Sequence, residues 1–246
     1  MQRQAESMLA NNLASSLQHN IRLFDSQINH AMAESRALAP RISLITNLQR
    51  LAAKPDDPRS VYELQRRANL IQATGFKAVS IYDTQGQVVA QAGAFAQKPV
   101  LGVALHSPFP AALLWEREFL LQARIDILDD QQRRLGMVMT ERLLPQLMHA
   151  LDDNKTLGKS VELAVCSPLQ QMMQCFPLSQ PIAHFPRLPR IQGGQPLPMH
   201  HALEGKTGLI FAKDYRAEPV VAAYAPIGTR GLGMVLKIDQ AELYHP

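Results

Sequence analysis

Long apolar runs are missing from this chain, and their absence limits what it can be. No stretch approaches the roughly eighteen uncharged apolar residues of a membrane-spanning helix. The residues after Met1 are polar and do not form the apolar core of a signal peptide. The 246 residues are nevertheless 46% hydrophobic and 19% charged, which predicts a globular protein with room for two domains.

Basic charge is present but not clustered. The net charge is +4 and the isoelectric point about 9.2. Basic residues are interspersed with acidic ones, and Arg66-Arg67 and Arg133-Arg134 are the only adjacent basic pairs. No segment alternates basic with aromatic side chains, as single-strand binding surfaces do. We therefore expect no nucleic-acid partner.

Catalytic and metal-binding signatures are also missing. The adjacent pair His200 and His201 has no acidic partner at a ligand spacing, and the two cysteines do not complete a tetrahedral set. No Gly-x-Ser-x-Gly nucleophile elbow is present. The sequence therefore predicts no metal site, no cofactor and no enzymatic activity in these residues.

Cysteine is scarce, with only Cys166 and Cys175. Cys166 ends a stretch of strand composition, and Cys175 falls where an antiparallel return strand would run, a spacing that can bring two Cα atoms to bonding distance. In an oxidising compartment, a disulfide closing this loop of about ten residues would stabilise by roughly 2–3 kcal/mol. Two buried free thiols in a reducing compartment are the alternative, and the residues leave both open.

The longest pattern is a stripe of apolar residues at steps of three and four from Leu9 to Leu51. Such spacing indicates one face of an amphipathic helix, which would be about 60 Å long at 1.5 Å per residue. Ser35 interrupts the stripe, and Pro40 either kinks one helix or separates two. We predict an N-terminal spine helix over residues 1–53, which is either kinked at Pro40 or divided there into two helices.

Two similar blocks follow the spine. The first, residues 54–151, predicts a helix after Pro58, a hairpin over 78–91, a long loop over 94–110, strands over 113–128 and 135–140, and a helix over 141–151. The second, residues 152–246, predicts hairpins, a last strand and the start of another helix. This order predicts an α+β fold in which a long N-terminal helix precedes two tandem units with antiparallel sheets.

Several segments give this order a likeness to a known family. They are SIYDTQGQVVA at 80–90, ALEGKTG at 202–208, DYR at 214–216, VVAAYAP at 220–226 and GMVLKID at 233–239. With the long first helix and two PAS-like units, the chain resembles the double Cache domains, which are extracytoplasmic sensor modules of bacterial transmembrane receptors. The first segment is similar to the first Cache hairpin, and the others to the closing section of the membrane-proximal unit.

The resemblance implies a location and a role. Such domains lie between two transmembrane helices, so we expect an excised periplasmic part of an inner-membrane protein, with the flanking helices absent from this chain. Residues 54–151 would be the membrane-distal unit and 152–246 the membrane-proximal unit with the start of the exit helix. Periplasmic exposure favours the disulfide between Cys166 and Cys175. The output domain of such a receptor is a diguanylate cyclase or phosphodiesterase, a histidine kinase or a chemoreceptor signalling domain.

Expected partners are an unknown small-molecule ligand and a second copy of the chain, which would form a homodimer through the N-terminal helix. Ligand closure over the distal pocket, under the 94–110 loop, would displace the terminal helices by about 1–2 Å. The alternative is an ectodomain that binds no small molecule and either dimerises or responds to a protein partner.

Six residues are candidates for ligand binding. Amino-acid sensors of the family carry a helical Tyr-Arg-Trp-type signature and a pocket aspartate, of which this chain has no clean copy. Strand alternation that turns Phe119, Leu121 and Ile125 toward the spine would turn the residues between them to the other face. That face is either a pocket wall or an exposed strand surface with a cross-strand pair. The candidates are Trp115, Arg117, Gln122, Arg124, Asp126 and Tyr82.

Overall fold

The computed structural model describes residues 2–147, 157–176 and 187–244. The helices are α1 (Gln2–Arg36), α2 (Ile42–Ala53), α3 (Pro58–Gln72), α4 (Pro198–Leu203) and α5 (Gln240–Tyr244). The strands are β1 (Ala78–Tyr82), β2 (Val88–Gly93), β3 (Leu101–Ala104), β4 (Ala111–Trp115), β5 (Phe119–Leu128), β6 (Arg134–Leu143), β7 (Glu162–Leu169), β8 (Met172–Cys175), β9 (Arg187–Pro189), β10 (Ile191–Gln192), β11 (Gln195–Pro196), β12 (Gly208–Lys213), β13 (Pro219–Pro226) and β14 (Gly233–Asp239).

The predicted spine is two helices and not one kinked helix, because α1 ends at Arg36 and α2 begins at Ile42. The last turn tightens: the N–H groups of Leu38 and Ala39 donate three residues back, at 3.2 Å each. Pro40 then offers no N–H to continue the ladder. Of the two alternatives that the sequence left open at Pro40, the structure has the separated helices.

Ser35, which interrupts the apolar stripe, is buried and fully bonded. Its hydroxyl donates to the Ala31 carbonyl at 3.0 Å and accepts from the Thr140 hydroxyl of β6 at 3.0 Å. Both partners lie in the buried interior, so a polar residue is tolerated where the pattern called for an apolar one.

The chain divides into two compact units. One consists of Gln27–Pro145 and is called the N-sheet unit; the other consists of Met1–Ser26 with Gln146–Pro246 and is called the C-sheet unit. The spine is therefore shared between the units and does not form a segment of its own. The predicted boundary between residues 151 and 152 lies outside the described residues.

The N-sheet has six antiparallel strands in the order β2-β1-β6-β5-β4-β3, and the C-sheet has six in the order β12-β13-β14-β7-β8-β9. Setting aside the edge strands β3 and β9, each sheet has the same five-strand order: second, first, fifth, fourth and third along the chain. The predicted fold class is confirmed, with a long N-terminal helix and two tandem units with antiparallel sheets.

Three local predictions in the first block are wrong. The loop predicted over 94–110 contains β3, and the single strand predicted over 113–128 is the hairpin β4–β5 with its turn at Glu116–Glu118. The helix predicted over 141–151 begins too early, because Glu141 pairs with Ala78 and Gln122 as part of β6. Pairing on both sides holds Glu141 in an extended strand although the sequence from residue 141 onward has helical composition. The part of that predicted helix from Met148 lies outside the described residues.

Cys166 and Cys175 face each other in the register of β7 and β8 and are joined by a disulfide. Both are buried in the apolar cluster of the C-sheet. Among the helices in the described ranges, none combines the length and apolarity needed to cross a membrane.

Candidate functional site

The two faces of the N-sheet differ in what they carry. Along β5 the odd-numbered residues from Phe119 to Ile127 are buried, while Gln122, Arg124 and Asp126 are half-buried or exposed. The alternation predicted from the sequence is therefore present. We call the face that carries Gln122 and Arg124 the outer face of the N-sheet.

One polar row crosses the outer face. Gln122 of β5 lies opposite Glu141 of β6, and the Gln122 amide Nε2 donates to Glu141 Oε2 at 3.4 Å. Ala112 flanks the row on the β4 side and Ala78 on the β1 side. Because both flanking residues are alanines, the longer Gln122 and Glu141 side chains project beyond their neighbours on this face.

Glu141 is the most buried charge on this face, with a side chain that is 0% exposed. Its Oε1 accepts from Lys77 Nζ at 2.9 Å and from the Ala96 backbone N–H at 2.8 Å. Lys77 also contacts the Glu116 carboxylate at 3.3 Å. A carboxylate held in this way is neutralised where it lies, which is the usual condition for a buried charge.

The pKa of Lys77 records the same balance. Partial burial lowers it, but hydrogen bonding and charge attraction from Glu141, and then from Glu116, outweigh burial, so the net pKa is raised above the usual lysine value. Lys77 is therefore a fixed cation at neutral pH, and it ties the segment after α3 to the outer face.

An open cleft of about 460 Å³ lies beside the polar row, and we call it the Arg124 groove. Gln122, Arg124 and Ala112 form its sheet side, and the connection from β3 to β4 forms its other wall. Apolar side chains make up most of that wall: Leu105, Pro108, Phe109 and Pro110. The groove is thus a mainly apolar cleft with one guanidinium and one amide, the composition typical of small-molecule sites.

A second cleft lies on the outer face near the β4–β5 turn. Glu116, Arg117 and Glu118 of the turn line it, together with Leu120 and Leu143. Arg117, predicted as a ligand residue, therefore lies in a different cleft from Arg124. Glu116 and Glu118 line this cleft together with Arg117, so the cleft has no surplus positive charge.

The remaining candidates lie apart from the Arg124 groove. Trp115 is buried on the opposite face and packs edge-to-face on Phe119, with ring centroids 4.9 Å apart. Asp126 pairs with Arg134 at 2.9 Å, as the cross-strand alternative supposed.

Tyr82 is half-buried at the end of β1 and is separated from Asp126 by Met137. The structure brings together only Gln122 and Arg124.

Sequence reasoning missed Glu141, Lys77 and Glu116. The signal that could have found Glu141 is the period-2 pattern of β6, which continues beyond Thr140 if the strand is not ended there. Nothing in the sequence predicts its pairing with Lys77, which lies 64 residues away.

The corresponding face of the C-sheet is covered. Helix α4 lies on it, and Met199, Ala202 and Leu197 join the cluster that contains Cys166 and Val235. Near the edge of this cluster, Lys237 Nζ contacts Glu162 at 2.7 Å and Asp214, and it lies 4.6 Å from the centre of the Tyr215 ring. The Tyr215 hydroxyl donates to Glu162 at 3.1 Å. We call these four residues the ion cage. Each of them already bonds to another member, so the cage is saturated.

A cleft of about 380 Å³ lies at the rim of the C-sheet unit, between the β10–β11 hairpin and the β12–β13 turn. Its one carboxylate, Asp214, is already bonded by Lys237 and Arg216. Within the described ranges, no group of three or more His, Cys, Asp and Glu side chains is placed to hold a metal ion.

Solved structures share this architecture over almost the whole chain. The ligand-binding domain of the Campylobacter jejuni chemoreceptor Tlp3, in complex with 4-methylisoleucine, has a TM-score of 0.61 at 10% identity, over 98% of this chain and 95% of that one. The ligand-binding domain of Mlp24 with asparagine has a TM-score of 0.55 at 12% identity, over 99% and 97%. The extracellular domain of the putative histidine kinase soHK1S-Z6 has a TM-score of 0.53 at 14% identity, over 98% and 97%.

No protein-family model matches the chain, and no curated protein matches its sequence. The similarity is therefore one of fold at very low identity. The architecture that the likeness to double Cache domains implied is confirmed, and the chain has the fold of the extracytoplasmic sensory domains of chemoreceptors and histidine kinases.

Proposed function

We propose that the chain is the ligand-sensing, extracytoplasmic domain of a transmembrane signalling protein, and that it binds a small molecule on the outer face of the N-sheet. One observation carries the location: this face has an open groove beside a polar row, while the same face of the C-sheet is filled by α4 and a saturated ion cage.

The neighbours in fold support a small-molecule ligand. Mlp24 is described with asparagine and Tlp3 with 4-methylisoleucine or L-norvaline. For this chain those compounds are a guide to ligand size only. The groove of about 460 Å³ is within the usual range of small-molecule sites, roughly 300–1,000 Å³.

A signalling route follows from the contacts of β6. A ligand in the groove contacts β5, which is paired along its length with β6. Two contacts join β6 to α1: the hydrogen bond of Thr140 to Ser35, and the ion pair of Arg142 with Glu34 at 3.0 Å. A shift of β6 would therefore pull on α1. The ligand drives such a shift only as far as it binds one arrangement of these elements more tightly than the other.

The test is a thermal-shift screen of the purified domain against amino acids, organic acids, polyamines and nucleobases. A ligand at a hundred times its dissociation constant should add about 2.7 kcal/mol to the stability. Ala112→Phe places a ring on the groove floor and should abolish the shift. Ala52→Phe, on the exposed side of α2, is the matched control and should retain it. A shift that survives Ala112→Phe unchanged would contradict the proposed location.

A protein partner is the second candidate, favoured by exposed apolar side chains on α2 and α3. Ile42 is 80% exposed, Tyr62 67% and Leu70 49%. By contrast, the α1 stripe that suggested a helix-mediated homodimer is buried within the single chain, including Leu17, Phe24 and Ile28. A homodimer through α1 would have to use the other residues of that helix. Light scattering of the wild type and of Tyr62→Ala tests whether that partner is a second copy of the chain.

A further inference from the structure

Arg124 differs from Arg134 and Arg142, the other arginines on the strands of the N-sheet, in lacking an acidic partner. Arg134 pairs with Asp126 at 2.9 Å and Arg142 with Glu34 at 3.0 Å. Next to the strands, Arg133 pairs with Asp129 at 2.8 Å and Lys77 with Glu141 at 2.9 Å. Arg124 makes no ion pair with any residue that the structure describes. Its nearest candidate along the strand, Asp126, is already engaged by Arg134.

The groove around Arg124 contains no acidic side chain. Its other polar side chains are the Gln122 amide and the Ser107 hydroxyl, and the rest of its lining is alanine, proline, leucine and phenylalanine. The cleft therefore has an uncompensated positive charge above a mostly apolar surface. That combination favours an anionic group with an apolar body attached to it.

The neighbouring carboxylate does not oppose this charge. Glu141 is 0% exposed and is already bonded by Lys77 and by the Ala96 N–H. It is closed to the ammonium group of a ligand and is too well neutralised to repel an anion. The polar row thus leaves Arg124 as the group that selects the charge of the ligand.

The groove wall is held in place before any ligand arrives. The Arg124 N–H donates to the Pro110 carbonyl at 2.9 Å, and the Leu105 N–H donates to the Ala111 carbonyl at 2.9 Å. The Ser107 hydroxyl bonds the Phe109 carbonyl, and Pro108 and Pro110 restrict the backbone between these bonds. A wall ordered in advance lowers the entropic cost of binding.

We infer that the ligand of the Arg124 groove is a small organic carboxylate with a compact apolar body, whose carboxylate pairs with the Arg124 guanidinium. The apolar body lies against Leu105 and Phe109, and the Gln122 amide borders the carboxylate end. This inference rests on the proposed function and adds the chemical class of the ligand to it.

The experiment uses matched probes that share an apolar body and differ in the polar group at its end. Phenylacetate, phenylacetamide and phenethylamine form an aromatic set; 4-methylpentanoate, 4-methylpentanamide and 4-methylpentylamine form an aliphatic one. Each is titrated calorimetrically into the purified domain at low and high salt. We expect the carboxylate of at least one set to bind at least tenfold more tightly than its amide and amine, and less tightly at high salt.

Variants assign the effect to the guanidinium. Arg124→Gln should weaken carboxylate binding about 10- to 100-fold, because a charge-assisted hydrogen bond is lost, and Arg124→Lys should lose less. Arg59→Gln, at another exposed arginine, on α3, is the control and should bind as the wild type does. Unchanged thermal unfolding of the variants without ligand shows that they fold.

Each outcome decides between the two proposals. Carboxylate binding that Arg124→Gln leaves intact, or an amide or amine that binds as tightly as the carboxylate, overturns the inference. A different ligand class that binds the groove, with no carboxylate among the binders, also overturns it and leaves the proposed function standing. The absence of binding by every class in the thermal-shift screen and by both probe sets counts against the proposed function itself.

Discussion

In the C-sheet unit, helix α4 lies across the outer face, and its Met199 and Ala202 pack into the sheet core. In the N-sheet unit, no helix among the described residues lies across the outer face, and the connection from β3 to β4 forms one wall of an open groove instead. Both sheets have the same five-strand order. The topology therefore does not decide which unit binds; the segments inserted between the strands do.

Each unit also holds one lysine between two carboxylates, and the two lysines differ in burial. The Lys237 side chain is 5% exposed and that of Lys77 is 24% exposed. In the C-sheet unit the triad of Lys237, Glu162 and Asp214 is at most 18% exposed, whereas in the N-sheet unit Glu116, in the triad with Lys77 and Glu141, is 44% exposed. We therefore expect the Lys237 triad to contribute more to the stability of the fold than the Lys77 triad does. The following experiments test that contrast.

The largest effect is expected for Lys237→Met. It removes the cation that Glu162 and Asp214 share and brings two poorly exposed carboxylates into repulsion, with only Arg216 left to pair with Asp214; this should cost about 3–5 kcal/mol. Urea unfolding followed by circular dichroism measures the loss. Lys213→Met, on an exposed strand position, is the control and should stay within about 0.5 kcal/mol. An equal, small effect of both substitutions would show that the cage is not structural.

Loss of the disulfide should come next and should be confined to one unit. Replacing both cysteines by serine opens the loop between Cys166 and Cys175 and should cost about 2–4 kcal/mol. The single tryptophan, Trp115, lies in the N-sheet unit, so its fluorescence reports that unit alone. We expect the circular dichroism transition to move and the fluorescence transition to stay. A fluorescence transition that moved equally would mean that the units unfold together.

A smaller effect is expected for Lys77→Met, the counterpart of Lys237→Met. Glu141 would keep the bond from the Ala96 N–H, and Glu116 is already half exposed, so we expect about 1–3 kcal/mol. Trp115 fluorescence during urea unfolding measures it, with the exposed Lys98→Met as the control. A cost as large as that of Lys237→Met would remove the distinction between the two triads.

The smallest effect concerns alkaline pH. Burial, with the Glu162 carboxylate as the next cause, raises the pKa of Tyr215 from 10.0 to about 12. Because this pKa is higher in the folded state, the stabilisation is complete below pH 10 and is lost as the pH rises toward 12. Tyr215→Phe should cost about 1 kcal/mol at pH 9, and the difference from wild type should shrink above pH 10. A difference that is constant with pH would contradict this assignment.

Where local pattern and tertiary pairing agreed, the sequence predicted the structure well. The turn that begins at Asp83 is fixed by its own carboxylate, which accepts from the N–H groups of Gln85 and Gln87 at 2.8 Å each. The burial alternation of β5 follows from a period of two in the sequence. In these segments the residues that form the structure are neighbours along the chain.

Where long-range pairing decided the outcome, the sequence was misleading. The residues that follow Glu141 in the sequence favour a helix. Glu141 nevertheless lies in a strand, because β1 and β5 pair with it. Trp115 was proposed for a pocket and packs in the core with Phe119, since the turn at Arg117 reverses the chain. Gln122 and Arg124 were predicted on the correct face, but their groove needs the β3–β4 connection, whose strands are too short to show a clear period.

The most direct test of the central claim is hydrogen exchange, measured by mass spectrometry on the domain with and without a ligand from the thermal-shift screen. We predict protection in peptides from Leu105 to Asp126, which carry the groove wall and β5, and no change from Leu197 to Asp239 in the C-sheet unit. Protection confined to the C-sheet unit, with the N-sheet unit unchanged, would contradict the claim that the outer face of the N-sheet binds the ligand.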